Sequence, residues 1–179
     1  SRLRAVIIGC GRMGAGRDHS SAWLYTHAEA YQALADRVEI VGFVDRVQAR
    51  ADWAAHKWGV LFAGDHVVGA LRELQPDIVS ICTPPSDRDE IVSACNEAES
   101  VKGIWCEKPY GLPVPPRALC QVNLIRRFDR RHIEIRDRRL LEPKPADLIV
   151  IAAKDVHTIV HFTDLARWWG IEKSRLHYH

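Results

Sequence analysis

Over the first 110 positions, short runs of β-branched and apolar residues alternate with longer stretches in which apolar side chains recur every three or four places. The first kind predicts strands at residues 4–9, 38–45, 77–82 and 102–107, and the second predicts helices at 25–34, 47–58, 67–74 and 87–98. Gly59 stops one helix and Pro76 another, and an apolar piece at 60–62 links the second and third helices. The strand runs are mostly apolar, with few polar interruptions, which is the mark of strands covered on both faces. Alternation with helices therefore predicts an α/β fold with a doubly wound parallel sheet. No internal repeat or low-complexity tract interrupts it.

The texture changes after Gly111. Pro113, Pro115 and Pro116 crowd a short connection before an apolar piece at 121–125. An arginine-rich stretch follows (Arg126, Arg127, Arg130, Arg131, Arg136, Arg138 and Arg139), interleaved with Asp129, Glu134 and Asp137. That interleaving predicts a solvated, salt-bridged helix rather than a phosphate-binding patch. A strand is expected at 148–152 and a last helix at 156–169. The change of texture puts a domain boundary between 1–122 and 123–179.

Composition narrows the class. Of the 179 residues 47% are hydrophobic and 27% charged, enough to build a core and too polar for a fibre. Lys and Arg total 25 against 23 Asp and Glu, a net charge of +2, which argues against nucleic-acid binding. No apolar run approaches the length of a membrane span, so no membrane partner is expected. The five cysteines, Cys10, Cys82, Cys95, Cys106 and Cys120, form neither a C-x-x-C pair nor a metal-finger spacing. They read as reduced, buried thiols of a cytoplasmic protein.

The first predicted strand runs into Gly9-Cys10-Gly11-Arg12-Met13-Gly14, a G-x-G-x-x-G between a strand and helix-forming sequence. Gly9 permits a tight turn, Gly11 lets backbone approach a pyrophosphate, and Gly14 allows close helix–strand packing. Backbone N–H groups of the following helix, from Arg12 and Met13 on, would then cap the anion. Asp45, ending the second strand, is the candidate acceptor for a ribose 2′-hydroxyl. It lies 31 positions beyond Gly14, against a usual spacing of about 20; an insertion at 16–26 accounts for the excess. Arg46 follows it and offers a partner for a 2′-phosphate, so NAD is preferred and NADP left open.

Through Cys106-Glu107-Lys108-Pro109 the chain resembles the glucose-fructose oxidoreductase/inositol dehydrogenase (Gfo/Idh/MocA) group of NAD(P)-dependent oxidoreductases. The matching pieces are residues 5–14, 41–45, 77–85, 107–109, 123–129 and 161–170, in the family's order. The resemblance implies a Rossmann domain followed by an α+β substrate domain, here incomplete, whose sheet often forms a dimer or tetramer interface. It implies a sugar or other polyol as substrate, Thr83 and Pro84 lining the cofactor cleft, Glu107 near the nicotinamide ribose, and Lys108 facing the substrate.

The resemblance further assigns His161 to the substrate site as the group that takes the hydroxyl proton, a task an imidazole of pKa about 6.5 suits. Asp164 lies three residues on. His157 stands where inositol dehydrogenase-like members carry an aspartate, so His157 or Asp164 is left to orient substrate. His157 and His161, one turn apart, could with Asp164 bind zinc, but Thr158 stands where a metalloprotease places its glutamate, and no metal is expected. A rival reading is a dinucleotide-binding sensor or regulatory protein without turnover.

Two features look compressed. Residues 108–120 are barely long enough for a parallel crossover and carry four prolines, which oppose a helix; 136–147 is similarly short. A truncated chain, or segments joined across missing residues, is the expectation, with most of the second domain's sheet absent.

Overall fold

A computed structural model of the chain describes residues 1–17, 26–109, 114–141, 149–151, 164–165, 168–169 and 176–178. The chain divides into two compact units, Ser1–Val122 and Asn123–His179.

The first unit runs β1 (Leu3–Ile8), α1 (Arg12–Ala15), α2 (His27–Ala33), β2 (Val38–Val44), α3 (Gln48–Trp58), β3 (Phe62–Gly64), α4 (Val67–Leu74), β4 (Ile78–Ile81), a 3-10 turn at Pro85–Asp87, α5 (Arg88–Glu97), β5 (Gly103–Cys106) and β6 (Leu119–Val122). All six strands pair in parallel in the order β3-β2-β1-β4-β5-β6. This is the doubly wound topology expected, and the order reverses between β1 and β4, where such sheets open a crevice at their carboxyl ends.

β1 shows why both faces must be covered. Val6 and Ile8 point to one face, where they pack with Leu71 of α4 and Val92 of α5; Ala5 and Ile7 point to the other, with Tyr31 of α2 and Ala51 and Ala54 of α3. Phe43 of β2 has no exposed surface, and its truncation to alanine would cost about 3–5 kcal/mol.

Several boundaries differ from the pattern, each for a local reason. α2 begins at His27 because Thr26 caps it: the Thr26 hydroxyl accepts from Glu29 N (3.1 Å) while Thr26 N donates to the Glu29 carboxylate (2.9 Å). The apolar piece at 60–62 predicts no strand, but β3 forms at Phe62–Gly64, where Phe62, Ala63 and Gly64 come into register with Gly42, Phe43 and Val44. β6 falls at Leu119–Val122, pairing residue for residue with Gly103–Cys106.

The connection into β6 contains no helix among its described residues. Arg117 and Asn96 secure it instead. Arg117 N donates to Asn96 Oδ1 (2.7 Å), Asn96 Nδ2 donates to Pro115 O (3.1 Å), and the Arg117 guanidinium donates to the carbonyls of Asn96 (3.2 Å) and Ala98 (3.0 Å) at the end of α5. A parallel crossover that the prolines bar from helical form is thus held by side chains.

The second unit holds a 3-10 turn at Ile125–Phe128, α6 (Arg130–Leu141), and β7 (Ile149–Ile151) paired in parallel with β8 (Leu176–Tyr178). The arginine stretch is the expected ion-paired helix: Arg130 Nε meets Glu134 at 3.0 Å and Arg131 meets Asp129 at 2.8 Å. Of the helix expected at 156–169, residues 164–165 and 168–169 are described, and Trp169 N donates to Leu165 O at 2.9 Å, a helical bond. Among the described residues no helix is long and apolar enough to cross a membrane.

Candidate dinucleotide and active site

The turn after β1 is shaped by the missing side chains of two glycines. Gly9 has φ +95°, and a methyl group on it would stand 2.7 Å from the Cys82 carbonyl carbon, so both backbone and space demand glycine. A methyl group on Gly14 would lie 2.0 Å from Gly9 O. Gly11 is different: nothing stands within 4 Å of where its Cβ would go. The protein does not need a glycine there for its own packing, which is the expectation for a place where a ligand approaches backbone. The helix following is a single turn, ended at Gly16. Arg12 is exposed and Met13 half-buried.

A crevice of about 500 Å³ opens beside this turn. Of the residues expected to hold a cofactor, Gly9, Gly11, Asp45, Arg46, Thr83 and Pro84 line it. It also takes in Arg50 and His66, which sequence reasoning passed over. Arg12, Met13, Gly14, Glu107 and Lys108 are not among its lining.

Asp45 is held tightly at the end of β2. Its Oδ2 accepts from Cys10 N (2.9 Å) and its Oδ1 from Val47 N (3.0 Å), so the carboxylate ties the glycine turn to the start of α3. Arg46 is largely solvent-exposed and faces Asp87 at 3.9 Å, which partly offsets the charge it would offer a 2′-phosphate. Thr83 contributes the clearest sign of a missing partner: its Oγ1 is buried without a hydrogen bond among the described residues. An unpaired hydroxyl, an open approach at Gly11 and a fixed carboxylate on one crevice fit a nucleotide's polar groups.

One strand over, β5 delivers Glu107, Lys108 and Pro109 to the same carboxyl edge. Glu107 N donates to Ile81 O (2.9 Å), and Lys108–Pro109 is a cis peptide. Lys108 is half-buried and Glu107 buried. The Glu107 carboxylate ends a buried polar chain absent from the sequence reading. Tyr31 OH lies 2.8 Å from Ser80 Oγ, Ser80 Oγ 3.0 Å from His27 Nδ1, and His27 Nε2 3.1 Å from Glu107 Oε1. Ser80 is the partner of the Tyr31 hydroxyl, so a donating Tyr31 lets Ser80 donate to Nδ1 and leaves Nε2–H for the carboxylate. Trp105 stacks on the imidazole, with ring centres 3.7 Å apart, and meets Tyr31 edge-on. Burial pushes the Tyr31 phenol up, well above its ordinary range.

The five cysteines are free, and burial raises each thiol. Those of Cys95 and Cys106 reach about 12, which makes them inert packing groups.

Within the second unit, the Asp164 carboxylate makes a two-point pair with the Arg127 guanidinium, Nε at 2.7 Å on Oδ2 and Nη2 on Oδ1. It therefore has a partner that the sequence reading did not anticipate. His132 and Trp169 stack at 5.5 Å, and Arg136 lies over the Trp168 ring at 4.7 Å. His157 and His161 lie outside the described residues, and among the described residues no group of three potential ligands could hold a metal.

The six-stranded order, the glycine turn and the crevice at the switch point define the first unit as a dinucleotide-binding α/β domain. Comparison with known proteins makes this specific. Residues 3–119 match the family described as Gfo/Idh/MocA, an oxidoreductase family with an NAD-binding Rossmann fold, and the chain belongs to that family.

D-glucoside 3-dehydrogenase of Escherichia coli is 29% identical over 121 residues, 67% of this chain and 31% of that protein. The fold is similar to scyllo-inositol dehydrogenase from Lactobacillus casei, crystallised with NAD(H) and scyllo-inositol (TM-score 0.70, 20% identity, 94% of this chain and 56% of the other). It is also similar to myo-inositol 2-dehydrogenase from Lactobacillus plantarum (TM-score 0.65, 20% identity, 93% and 50%). The chain thus spans about a third of the curated relative and about half of these solved ones.

Proposed function

We propose that the protein is an NAD(P)-dependent oxidoreductase that moves hydride between the nicotinamide and a secondary alcohol or carbonyl of a sugar, cyclitol or similar polyol, with NAD the preferred cofactor. The observation that carries this is the placement of Lys108 at the carboxyl edge of β5, beside the strand whose Thr83 and Pro84 line the crevice. Family membership and the glucoside and inositol dehydrogenases it resembles support the substrate class.

In this reading Gly9, Gly11 and Gly14 shape the turn that admits the diphosphate, Arg12 and Met13 lend backbone N–H groups, and Asp45 and Arg46 meet the adenosine ribose. Thr83, Pro84 and Glu107 border the nicotinamide end. The nicotinamide ring supplies or accepts the hydride when bound. Lys108 Nζ, a three-proton donor, hydrogen-bonds the substrate oxygen and steadies the charge that develops there. His161 takes or returns the hydroxyl proton, with His157 or Asp164 orienting the substrate. Arg127 holds the Asp164 carboxylate, so that residue serves as an orienting acceptor rather than a proton carrier. We place the working enzyme in the cytoplasm, as a homo-oligomer.

The test is Lys108→Ala in the full-length protein, with methyl β-D-glucoside and myo-inositol as substrates. Turnover should fall by about 10²–10⁴ while NADH affinity stays within about threefold. Unchanged turnover removes Lys108 from the chemistry. NADH binding by the wild type with no turnover across a broad polyol panel would instead describe a dinucleotide sensor.

A further inference from the structure

We infer that Arg88 is a positioning residue that locks the Lys108 turn to the wall of the crevice. Arg88 opens α5 and is 4% exposed. Its guanidinium spends its donors on backbone carbonyls at the ends of two neighbouring strands. Nε and Nη2 both donate to Thr83 O, at 3.0 and 2.7 Å. Nη1 donates to Glu107 O and, at 2.5 Å, to Pro109 O.

This is a costly place for a cation. It is buried, it lies in the first turn of a helix, where the macrodipole disfavours positive charge, and no carboxylate forms an ion pair with it among the described residues. Such a group persists only where several hydrogen bonds compensate it. The three carbonyls suit it because Thr83, Glu107 and Pro109 lie just past the strand ends, where the ladder no longer supplies donors. A planar fork can bridge carbonyls of two strands at once, which a lysine ammonium cannot do with the same geometry.

The two clamped carbonyls on the β5 side belong to the residues immediately before and after Lys108. The peptide plane entering the Lys108 Cα is therefore anchored through Glu107 O, and the chain is held again one residue further on at Pro109 O, both by the same group that holds Thr83. The lysine side chain starts from a base fixed relative to the dinucleotide crevice. Catalysis by a positioned group is sensitive to such placement, about a hundredfold for a 1 Å displacement. Arg88 thus acts through Lys108 and touches neither substrate nor cofactor. The inference rests on the role proposed above for Lys108, so one readout must stand apart from turnover.

In full-length protein labelled with ¹³C at lysine Cε and free of cofactor, the Lys108 resonance is assigned by its disappearance in Lys108→Arg. Arg88→Ala is expected to shift and broaden that resonance and leave those of Lys57 and Lys102 in place. With methyl β-D-glucoside, Arg88→Ala should lower kcat about a hundredfold, with KM and the NADH dissociation constant within about threefold. Arg88→Lys should restore part of the loss. If Arg88→Ala does not fold, Arg88→Lys carries both readouts, in the same direction and smaller.

An unmoved Lys108 resonance overturns the inference. So does a kcat within threefold of wild type in a background where Lys108→Ala abolishes turnover. Should Lys108→Ala leave turnover intact, the proposed function falls while the resonance alone decides the role of Arg88.

Discussion

Gly11 and Gly14 offer a sharp separation of fold from function, because the same one-carbon change meets opposite surroundings. In Gly14→Ala the new methyl would lie 2.0 Å from Gly9 O and 3.3 Å from Cys82 Cβ. The nearest obstacle is backbone and cannot rotate away. Overpacking of this kind costs about 1–3 kcal/mol, so thermal unfolding should move down by several degrees. In Gly11→Ala the methyl meets nothing within 4 Å, and the residue has φ −82°, a value open to any residue.

The folded state therefore tolerates Gly11→Ala, and the loss of unfolded-chain freedom stabilises it by about 0.4–1 kcal/mol. The space filled, however, is the approach to the backbone. Hydrogen bonds to charged groups contribute about 1.5–3 kcal/mol, so at tenfold per 1.4 kcal/mol their loss weakens NADH binding about ten- to hundredfold. Differential scanning fluorimetry and an NADH fluorescence titration on the same preparations measure both. The reasoning fails if Gly11→Ala binds NADH within twofold of wild type, or unfolds as early as Gly14→Ala.

Asp45→Ala should both destabilise and weaken binding: it strips the acceptor from Cys10 N and Val47 N, about 1–3 kcal/mol for a buried donor left unpaired, and titrations should show affinity for NADH falling more than that for NADPH. Ser80→Ala should lower the urea midpoint more than Tyr31→Phe, since the first leaves both the Tyr31 hydroxyl and His27 Nδ1 unpaired while the second removes one member at the end of the chain; equal midpoints would count against the network. The Asp77 carboxyl is held below the usual range by its hydrogen bonds from Lys102 Nζ (2.6 Å) and Arg4 N (3.0 Å). Its contribution is therefore complete above the ordinary carboxylate pKa of about 3.9 and is lost as pH falls through the lower folded value. The stability gap between wild type and Asp77→Asn should be constant from pH 5 to 8 and close below pH 4, remaining under about 1 kcal/mol because Lys102 is exposed.

The sheet was legible because parallel strands covered on both faces are nearly continuously apolar, and β1, β2, β4 and β5 are, with Arg4, Glu39 and Ser80 the exceptions. The glycine turn was legible because its chemistry is local in sequence, and the Glu107-Lys108-Pro109 edge drew notice only through the family resemblance those residues carry. What escaped was non-local. His27, Ser80 and Glu107 come from α2, β4 and the end of β5, and no spacing rule joins them; the one hint was a serine in the middle of an otherwise apolar strand. Arg88 also left a trace, as an arginine in the first turn of a helix against the dipole, but only the fold shows which carbonyls it serves. Asp45 lines the crevice, yet its bonds to Cys10 N and Val47 N depend on a turn geometry that sequence does not state. β3 was missed as a strand and β6 begins before the apolar piece at 121–125, because register with a neighbouring strand, rather than local hydrophobicity, sets their limits.

The carboxyl edge of this sheet assigns its polar groups in a way that favours an anionic, hydroxyl-rich guest. Strands end there with carbonyls pointing outward, and carbonyls repel phosphate and compete for hydroxyl donors. Arg88 withdraws three of them, those of Thr83, Glu107 and Pro109, from that competition. At Thr83 the division runs through a single residue: the carbonyl accepts two bonds from Arg88, while the hydroxyl is buried with none. A hydroxyl left so costs about 1–3 kcal/mol, and that cost is recovered when an acceptor enters the crevice. In the proposed reading Thr83 thus serves both ends: its carbonyl anchors the clamp that holds the Lys108 turn, and its hydroxyl remains a donor for the dinucleotide.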